Sequence, residues 1–423
     1  MPHPSRHNPA LVRLALALLF ALLTGLAACT PDDPDAEHPG RVPGVTEATI
    51  RLGSSLPLTG HARYLGVETL RGALAYINHV NDSGGVHGRR IELDARDDGY
   101  DPPRCLANTQ EQLISGEVFA LTCYVGTPTT MRILPLVDEA RIPLVGAFTG
   151  ANGLRDPFSR YVFNVRASYY QETDAAVRHL VHDLGLTRIA VFYQYDAYGF
   201  DGLTGTELAL RELGLAPVAR GSYARGTDNI EDGLHRIIAS DAEAVLMVGT
   251  SEPTARFIRM AEEAGFDAVY HALSFTGAEE LARLLGHTDA KVLLSQVVPP
   301  PDAPEAPAIL GCTTEYVNLL KRYYPDATPS AIGLEGYINA RILVEGLRRA
   351  GPDLTREGFV RALESLRDYP LGGRTVVSFS PESRQGMGSV YFTRLVGGRF
   401  ELMREAGAPP SAARPASNKG GQP

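Results

Sequence analysis

The sequence lacks the motifs on which several large enzyme classes depend. It contains no G-x-S-x-G, Walker A, G-x-G-x-x-G or H-E-x-x-H pattern, so it indicates no nucleophile elbow, phosphate loop, dinucleotide fingerprint or zinc-protease helix. It has no C-x-x-C pair, and His179 and His182, one helical turn apart, suit a solvated helix face better than a metal site. These absences favour a binding protein over an enzyme, an alternative that a turnover assay would test, and we expect no catalytic residues, metal or cofactor.

An excess of positive charge is also missing. The chain has 40 Lys and Arg against 49 Asp and Glu, a formal net charge of −9. A nucleic-acid partner would require a basic face, so this class of partner is excluded. The 44% hydrophobic content is that of a soluble globular protein. A length of 423 residues exceeds one ordinary core and predicts two domains with tails.

Long apolar runs are absent except near the start of the chain. Residues 14–28 follow Arg6 and Arg13 and would form a helix of roughly 22 Å, shorter than the roughly 30 Å hydrocarbon core of a bilayer. This pattern is typical of a secretory leader, which we place at residues 1–28. Residues 30–43 are rich in Pro, Asp and Gly, and they predict that 29–47 is a solvated linker.

Cysteine is scarce, with four residues in the chain. Cys29 directly follows the leader, and the other three would lie in an oxidising compartment. Cys105 falls in the first turns of a predicted helix and Cys123 at the end of the next strand, so they are neighbours in a βαβ unit. We therefore predict a disulfide between them. Cys312 is then unpaired, and we expect a small buried hydrophobic residue there.

Two stretches in which a strand leads into a helix predict a small-molecule site. Residues 50–60 read I-R-L-G-S-S-L-P-L-T-G, and residues 120–130 read A-L-T-C-Y-V-G-T-P-T-T. Small and hydroxyl residues at such a junction leave backbone N–H groups pointing into an open crevice, where an anion can bind. Thr127 suits an N-cap and Pro128 the first helical position. We therefore expect Thr127 to lie in the site.

Strand and helix patterns alternate along most of the chain. In the first part, strands are predicted at 50–53, 90–95, 118–121 and 142–145, and helices at 66–80, 102–114 and 129–138. The alternation restarts with strands at 188–193, 217–223, 244–248, 269–273 and 291–297 and intervening helices. This order predicts an α/β fold of two doubly wound parallel-sheet lobes, with the ligand beyond the carboxyl ends of the strands.

The connections between the lobes are predicted from the ends of the two alternating series. The junction at 161–168 is one crossing, and residues 299–307 hold five prolines in nine positions, which suits a second crossing on the surface. Several crossings would make a hinge. The expected lobes are 48–165 plus about 298–350, and 166–297 plus about 351–403; residues 404–423 are expected to be a disordered tail.

These features together resemble a known family, the periplasmic solute-binding proteins of the branched-chain amino acid (leucine/isoleucine/valine) type. These proteins are receptor components of ABC importers with the type I periplasmic binding protein fold. The resemblance covers about residues 48–402 and rests on the order and spacing of several motifs. They are I-R-L-G-S-S-L-P-L-T-G, N-D-S-G-G-V-H-G-R-R-I-E-L, D-D-G-Y-D-P, V-G-T-P-T, R-I-A-V-F-Y-Q-Y-D-A-Y-G and S-A-I-G-L-E-G-Y.

The end of the leader carries a second resemblance. The sequence L-A-A-C at 26–29 resembles the lipobox of bacterial lipoproteins, in which the cysteine is acylated and becomes the first residue. The alternative is an ordinary secretory signal with Cys29 incidental. The resemblance implies a periplasmic, membrane-anchored lipoprotein whose only membrane contact is the lipid, with an ABC permease as partner.

The family resemblance also implies which residues contact the ligand. The α-carboxylate and ammonium of an amino acid would be held by a hydroxyl at a helix start and by the exit loop of the next strand. Aromatic residues would cover the ligand. The matching positions are Thr127 and the segment Phe148-Thr149-Gly150 for the polar groups and Tyr198 for an aromatic cover. Tyr64 lies near another of the aromatic positions, and Tyr337 is on a helix that the family brings near the cleft.

One position departs from the family pattern. The segment 272–277 matches a region that often carries a glutamate for the ligand ammonium, and the nearest matching position here is Ser274. A buried ammonium without a carboxylate would cost several kcal/mol. Either Asp196, Glu335 or a cluster of carbonyls supplies the counter-charge, or the ligand is a carboxylate, amide or aromatic acid without an ammonium.

The same fold also serves ligand sensors that signal to a partner protein, and fold alone does not separate these from transport receptors. The leader and lipid tether, with no kinase or DNA-binding segment recognised in the chain, favour delivery to a permease.

The lipoprotein interpretation gives the first testable prediction. Cys29→Ala removes the acylated residue, so we expect the protein to move from the membrane fraction to the soluble fraction with ligand binding retained. Fractionation and a binding assay on the released protein test this. Loss of ligand binding in the variant would contradict a tether role for residue 29.

Overall fold

The structure is a computed structural model that describes residues 42–403. The leader at 1–28, Cys29 and the tail at 404–423 lie outside the described residues. Within 42–403 the chain forms two separate large sheets, each flanked by helices. The prediction of an α/β fold with two doubly wound lobes is confirmed.

The first lobe is built on a parallel sheet with the strand order β2-β1-β3-β4-β5. Its strands are β1 (Thr49–Leu56), β2 (Arg90–Asp97), β3 (Ala120–Thr122), β4 (Leu144–Val145) and β5 (Val162–Phe163). Three helices connect them: α1 (Arg63–Asp82), α2 (Pro102–Ile114) and α3 (Thr127–Glu139). Strands β1, β3, β4 and β5 are almost entirely buried, as expected for strands covered on both faces, whereas the edge strand β2 is mostly half-buried.

The second lobe has a seven-stranded sheet with the order β14-β13-β10-β9-β8-β6-β7. The parallel part comprises β6 (Ile189–Gln194), β7 (Arg220–Tyr223), β8 (Ala244–Val248), β9 (Val269–Ala272) and β10 (Lys291–Gln296). Antiparallel strands β13 (Tyr391–Val396) and β14 (Arg399–Leu402) extend it at one edge. Its helices are α4 (Tyr169–Arg178), α5 (Ala197–Glu212), α6 (Glu231–Ile238), α7 (Ser251–Glu263) and α8 (Ala278–Leu285).

The region between β10 and β13 returns to the first lobe. It contains α9 (Ala306–Ile309), α10 (Thr313–Tyr323), α11 (Ala331–Ala350), α12 (Arg356–Glu364) and the hairpin of β11 (Tyr369–Gly372) and β12 (Thr375–Val377).

The structure corrects the expected lobe boundary at residue 351. The guanidinium of Arg356 on α12 donates to the carbonyls of Val118, Phe119 and Ala140, all in the first lobe, at 2.9–3.0 Å. The ring of Phe359 packs on Phe119 with centroids 5.6 Å apart. Since α12 covers the first sheet, the chain joins the second lobe for the last time only at β13. The 3.6-residue period of this helix gave no information about which sheet it would cover.

The hinge consists of three passages of the chain between the lobes. The first follows β5, the second includes the proline-rich segment after β10, and the third precedes β13. The first and third passages pair with each other: the N–H of Asn164 donates to the carbonyl of Arg384, and the carbonyls of Asn164 and Val165 accept from Gly386 and Met387. This pairing holds the two passages side by side, so the hinge is a short ribbon and not a set of independent linkers.

Close packing of α1 against α11 makes the first lobe rigid. A Cβ atom on Gly72 of α1 would lie 1.8 Å from the carbonyl oxygen of Gly333, and a Cβ on Gly336 would lie 2.2 Å from that of Thr69. Only glycine permits this approach of the two backbones. The N-terminal half of α11 is therefore fixed relative to the first sheet.

The predicted disulfide is wrong. Cys105 and Cys123 are both buried free thiols in the described part of the chain. Each has its own polar neighbour: the thiol of Cys105 lies beside Asp98, and that of Cys123 accepts a 3.9 Å hydrogen bond from the Thr122 hydroxyl. Burial raises the pKa of both thiols, which keeps them protonated and unreactive. Cys312 is buried, as predicted.

Among residues 42–403, no helix combines the length and the apolar character needed to cross a bilayer.

A buried histidine lies in the centre of the second sheet. His271 on β9 is inaccessible to solvent, and its Nε2 lies 2.9 Å from the Ser295 hydroxyl on β10. Burial, reinforced by the nearby His179, lowers the pKa of His271 from 6.5 to about 3. The folded protein therefore keeps this imidazole neutral at pH values where the unfolded chain protonates it.

This difference predicts a pH-dependent loss of stability. Because the folded-state pKa is depressed, the contribution of His271 is present above about pH 6.5 and is lost as the pH falls toward 3. Between pH 7 and pH 5 it should lower the free energy of unfolding by roughly 2 kcal/mol. Urea denaturation of the wild type and His271→Gln at both pH values measures this. An equal drop in the two proteins would contradict the assignment.

Candidate ligand-binding site

Two threonine hydroxyls meet beyond the carboxyl ends of β3 and β4. The hydroxyl of Thr127 lies 2.7 Å from that of Thr149, which also accepts a 3.2 Å hydrogen bond from the N–H of Ala151. Thr127 is the first residue of α3, and Gly126, with φ +97°, is the N-cap. The expected N-cap role of Thr127 is therefore wrong by one residue. The hydroxyl still lies at the positive end of a helix of 13 residues, where an anion is stabilised.

The loop that carries Phe148, Thr149 and Gly150 contacts the second lobe directly. The carbonyl of Gly150 accepts a 2.7 Å hydrogen bond from the N–H of Tyr169, the first residue of α4. A Cβ atom on Gly150 would lie 2.7 Å from that nitrogen, so only glycine fits here. The loop thus joins the exit of β4 to the first helix of the second lobe.

Five buried aromatic rings meet at the contact between the lobes, and we call them the aromatic cluster: Tyr100, Phe148, Tyr169, Tyr198 and Phe275. Phe275 lies at the centre, with centroid distances of 4.7 Å to Tyr198, 5.6 Å to Phe148, 6.1 Å to Tyr100 and 6.4 Å to Tyr169. Tyr100 and Phe148 come from the first lobe and the other three from the second. The cluster therefore excludes water from the crevice when the lobes are in contact.

Two hydroxyls of the aromatic cluster, those of Tyr100 and Tyr198, have no hydrogen-bond partner within residues 42–403. The hydroxyl of Tyr198 is fully buried and makes no hydrogen bond within residues 42–403. A buried hydroxyl without a partner costs roughly 1–3 kcal/mol. Tyr198 therefore offers a donor and an acceptor to a molecule that enters the crevice.

A buried ionic cluster lies behind Phe148, and it consists of Arg166, Glu172, Ser274 and Glu335. The Arg166 guanidinium donates to the Ser274 hydroxyl and, at 3.0 Å, to Glu172 Oε1. Its carbon Cζ lies 4.9 Å from the centroid of the Phe148 ring. The backbone N–H and the hydroxyl of Ser274 donate to Glu172 at 2.9 and 2.8 Å. Arg166 Nη1 lies 3.3 Å from Glu335 Oε2.

The charges of the ionic cluster affect one another because water is excluded. Burial raises the pKa of Glu172, and the guanidinium and the hydrogen bonds from Ser274 oppose this increase. Burial also raises the pKa of Glu335, to about 7, with Arg166 opposing and Glu172 reinforcing the shift. The ionic cluster joins the lobes, since Glu335 is on α11 of the first lobe while Glu172 and Ser274 belong to the second.

Tyr64 lies at a different contact between the lobes. Its hydroxyl donates to Glu279 Oε2 at 3.2 Å, and Glu279 Oε1 accepts from the N–H of Ala331 at 2.9 Å. Glu279 is on α8 of the second lobe, whereas Ala331 begins α11 of the first. This contact lies beside Gly277, two residues after Phe275.

The structure does not bring Tyr337 to the crevice. Its ring packs between Tyr76 and Tyr316, with centroids 5.2 and 5.7 Å away, and its hydroxyl donates to Glu315 at 2.6 Å. Tyr337 therefore belongs to the helical core of the first lobe, and its expected ligand role is corrected. On α11 the residue that belongs to the ionic cluster is Glu335, two positions earlier.

Sequence reasoning missed several residues of this region: Tyr100, Arg166, Tyr169, Glu172 and Phe275. Arg166 had a visible signal, because it is a lone charge within the apolar crossing V-F-N-V-R-A-S. An arginine in such a run predicts a buried acidic partner. Tyr100 follows the D-D-G turn and has φ +64°, a backbone conformation that the sequence does not reveal.

Comparisons with known proteins agree on one family. The family model described as periplasmic binding protein matches residues 49–399. An "Amino acid binding protein" of Pseudomonas aeruginosa is 24% identical over 239 residues, which are 56% of this chain and 64% of that protein, somewhat under two thirds. The "Leu/Ile/Val-binding protein homolog 7" of Brucella abortus is 22% identical over 317 residues, 71% of this chain and 77% of that protein.

Solved structures give the same result. A possible leucine/isoleucine/valine-binding protein from Rhodopirellula baltica is 32% identical with a TM-score of 0.80, and the match covers 87% of this chain and 98% of that one. A branched-chain amino acid ABC transporter protein from Thermus thermophilus with bound valine is 20% identical with a TM-score of 0.75, covering 86% and 98%, so it supports the fold. From its family match and its two-lobed fold, we conclude that the chain belongs to the periplasmic binding protein family.

Proposed function

We propose that the protein is the extracytoplasmic binding component of an ABC importer and binds an amino acid or a related small carboxylate or amide between its lobes. The observation that carries the proposal is the convergence of Thr127 and Thr149 from the first lobe with Tyr198 and Phe275 from the second. A ligand in this position would contact both lobes only when they are closed. The names of the relatives support the same class of ligand.

The proposed mechanism is closure about the paired hinge. Open and closed forms are in equilibrium, and a ligand that contacts both lobes shifts the equilibrium toward the closed form. An acidic group of the ligand would accept hydrogen bonds from Thr127 and from backbone N–H groups at the start of α3. The aromatic cluster would exclude water and strengthen these contacts. The closed form would then present a surface to the permease.

The proposed function includes attachment of the protein to a membrane. The lipobox-like L-A-A-C at 26–29 would attach the protein to a membrane through Cys29, with the linker giving it reach to the permease. A sensor with this fold would bind the same ligand, so binding alone does not separate the two functions. Uptake of the identified ligand in cells with and without the protein separates them, because only a transport receptor is required for uptake.

Ligand binding is tested by thermal shift on the Cys29→Ala protein against amino acids, carboxylates and amides. A ligand that binds only the folded state raises the melting temperature, by about 2.7 kcal/mol of added stability at 100 times its Kd. We expect at least one amino acid or small carboxylate to give a saturable increase. A flat response over all three sets would refute the proposed ligand class.

The role of Thr127 is tested by substitution. Thr127→Ala should weaken the ligand identified in the screen by about 1–3 kcal/mol, because part of the acidic group loses its hydrogen-bond donor. Thr130→Ala is the matched control: its hydroxyl is on the same helix, is buried and makes no hydrogen bond within the described residues. Calorimetry on both variants measures the difference. An unchanged Kd in Thr127→Ala would remove this residue from the site.

A further inference from the structure

The ionic cluster contains two carboxylates for one guanidinium. The exposed fractions of the Arg166, Glu172 and Glu335 side chains are 3%, 0% and 4%. With all three groups ionised, the cluster has a net charge of −1 in a space from which water is excluded. An uncompensated buried charge is costly, so a cationic group or a proton has to neutralise it.

Both carboxylate oxygens of Glu172 are hydrogen-bonded to protein groups. Its Oε1 accepts from the Arg166 guanidinium and the Ser274 hydroxyl, and its Oε2 accepts from the Ser274 backbone N–H. These three donors fix both carboxylate oxygens. Glu172 is therefore the structural partner of Arg166, and each of its carboxylate oxygens already accepts from a protein donor.

Glu335 differs from Glu172 because one of its carboxylate oxygens has no hydrogen-bond donor. Its Oε2 is buried and makes no hydrogen bond to any group within residues 42–403, although Arg166 Nη1 lies 3.3 Å away. Such an oxygen is expected to find a donor, because leaving a buried charged acceptor unpaired costs more than leaving a neutral one unpaired. Glu335 therefore has an acceptor oxygen without a donor, beside the guanidinium that also binds Glu172 and Ser274 of the second lobe.

The position of Glu335 on α11 places it near the predicted ligand loop. Asn339, four residues later and so on the same helix face, donates to the carbonyl of Gly146 at 2.9 Å. Gly146 begins the exit loop that leads to Phe148 and Thr149. The guanidinium next to Glu335 also covers the Phe148 ring, so Glu335 is one side chain away from the aromatic cluster.

The other acids near the crevice are occupied. Asp196 accepts from the N–H of Tyr198 at 3.0 Å and from Gln194 at 2.7 Å and caps α5. Glu279 accepts from Tyr64 and from the N–H of Ala331. Of the alternatives that the sequence left open for a counter-charge, Glu335 is the carboxylate with an unsatisfied buried oxygen.

We propose that Glu335 binds the ammonium group of the ligand, and hence that the ligand is an α-amino acid and not a carboxylate or amide without an amine. This inference rests on the proposed function, since it concerns the same interlobe site. Binding would bring the cluster to neutrality, with Arg166 and the ammonium opposite Glu172 and Glu335. The ammonium would also supply the donor that Glu335 Oε2 lacks.

Binding of an ammonium group is expected to change the protonation of Glu335. Burial raises the pKa of Glu335 to about 7, and the charged groups that face it are Arg166, which opposes the shift, and Glu172, which adds to it. Near pH 7 part of the ligand-free protein therefore carries a proton on this carboxyl. An ammonium beside Glu335 favours the ionised form, so binding at pH 7 should release protons.

The experiment compares each amino acid that binds with the same acid lacking its α-amino group, for example L-leucine with 4-methylpentanoate and L-phenylalanine with 3-phenylpropanoate. Calorimetry in buffers of different ionisation enthalpy gives the Kd and the protons released. We expect Glu335→Gln to weaken amino acid binding about 30-fold or more, to change the Kd of the des-amino acid by less than about threefold, and to abolish proton release.

Glu364→Gln is the matched control, because Glu364 forms a similarly buried pair with Arg384 away from the crevice. It should keep the Kd and the proton release of the wild type. Proton release by the wild type is informative even if Glu335→Gln does not fold. Amino acid binding without proton release, or with an unchanged Kd in Glu335→Gln, overturns the inference. Binding of des-amino acids alone overturns it but leaves the proposed function intact, whereas no binding in any set refutes both.

Discussion

The guanidinium of Arg166 is the group on which the relation between the two lobes depends. It lies in the first passage of the hinge and is buried among groups from both lobes: Glu172, Ser274 and Glu335. A buried cation without its partners is destabilising by several kcal/mol, so the loss of a single partner of Arg166 would already be costly. When the lobes separate, the Arg166 guanidinium therefore has to become hydrated or to pair with a different group. The free energy of lobe closure therefore includes the free energy of the interactions within the ionic cluster.

The rigid parts of the molecule restrict where such a motion can occur. The backbone contact between Gly72 and Gly333 fixes α1 to α11, and α12 is held to the first sheet by Arg356. Glu335 therefore moves with the first lobe, whereas Glu172 moves with the second. The paired passages at 164–165 and 384–387 limit the hinge to bending of a short ribbon. A rotation about this ribbon changes the distances within the ionic cluster and the aromatic cluster together.

Local chemistry explains which parts of the site could be predicted from the sequence. Thr127 and Thr149 each follow a short buried strand, and parallel strands place their carboxyl ends at one edge, so their meeting follows from the pattern. Tyr337 and Glu335 are two residues apart on one helix, and the sequence did not reveal which side of α11 would face the crevice. The pairing of Arg166 with Glu172 requires knowledge of the hinge path. The free thiols of Cys105 and Cys123 depend on side-chain directions, which strand and helix order does not specify.

Ser274 illustrates how charge constrains this site as a whole. Its hydroxyl and backbone N–H both donate to Glu172, and the hydroxyl accepts from Arg166. A carboxylate at position 274 would be a third acid beside one guanidinium, and it would provide no hydroxyl donor for Glu172. A small neutral donor is therefore the residue type that this cluster accommodates. Since the acids beside Ser274 already exceed the cations by one, the absence of a glutamate at 274 does not imply a site without a counter-charge. The additional acid is Glu335, which lies on α11, on the first-lobe side of the contact between the lobes.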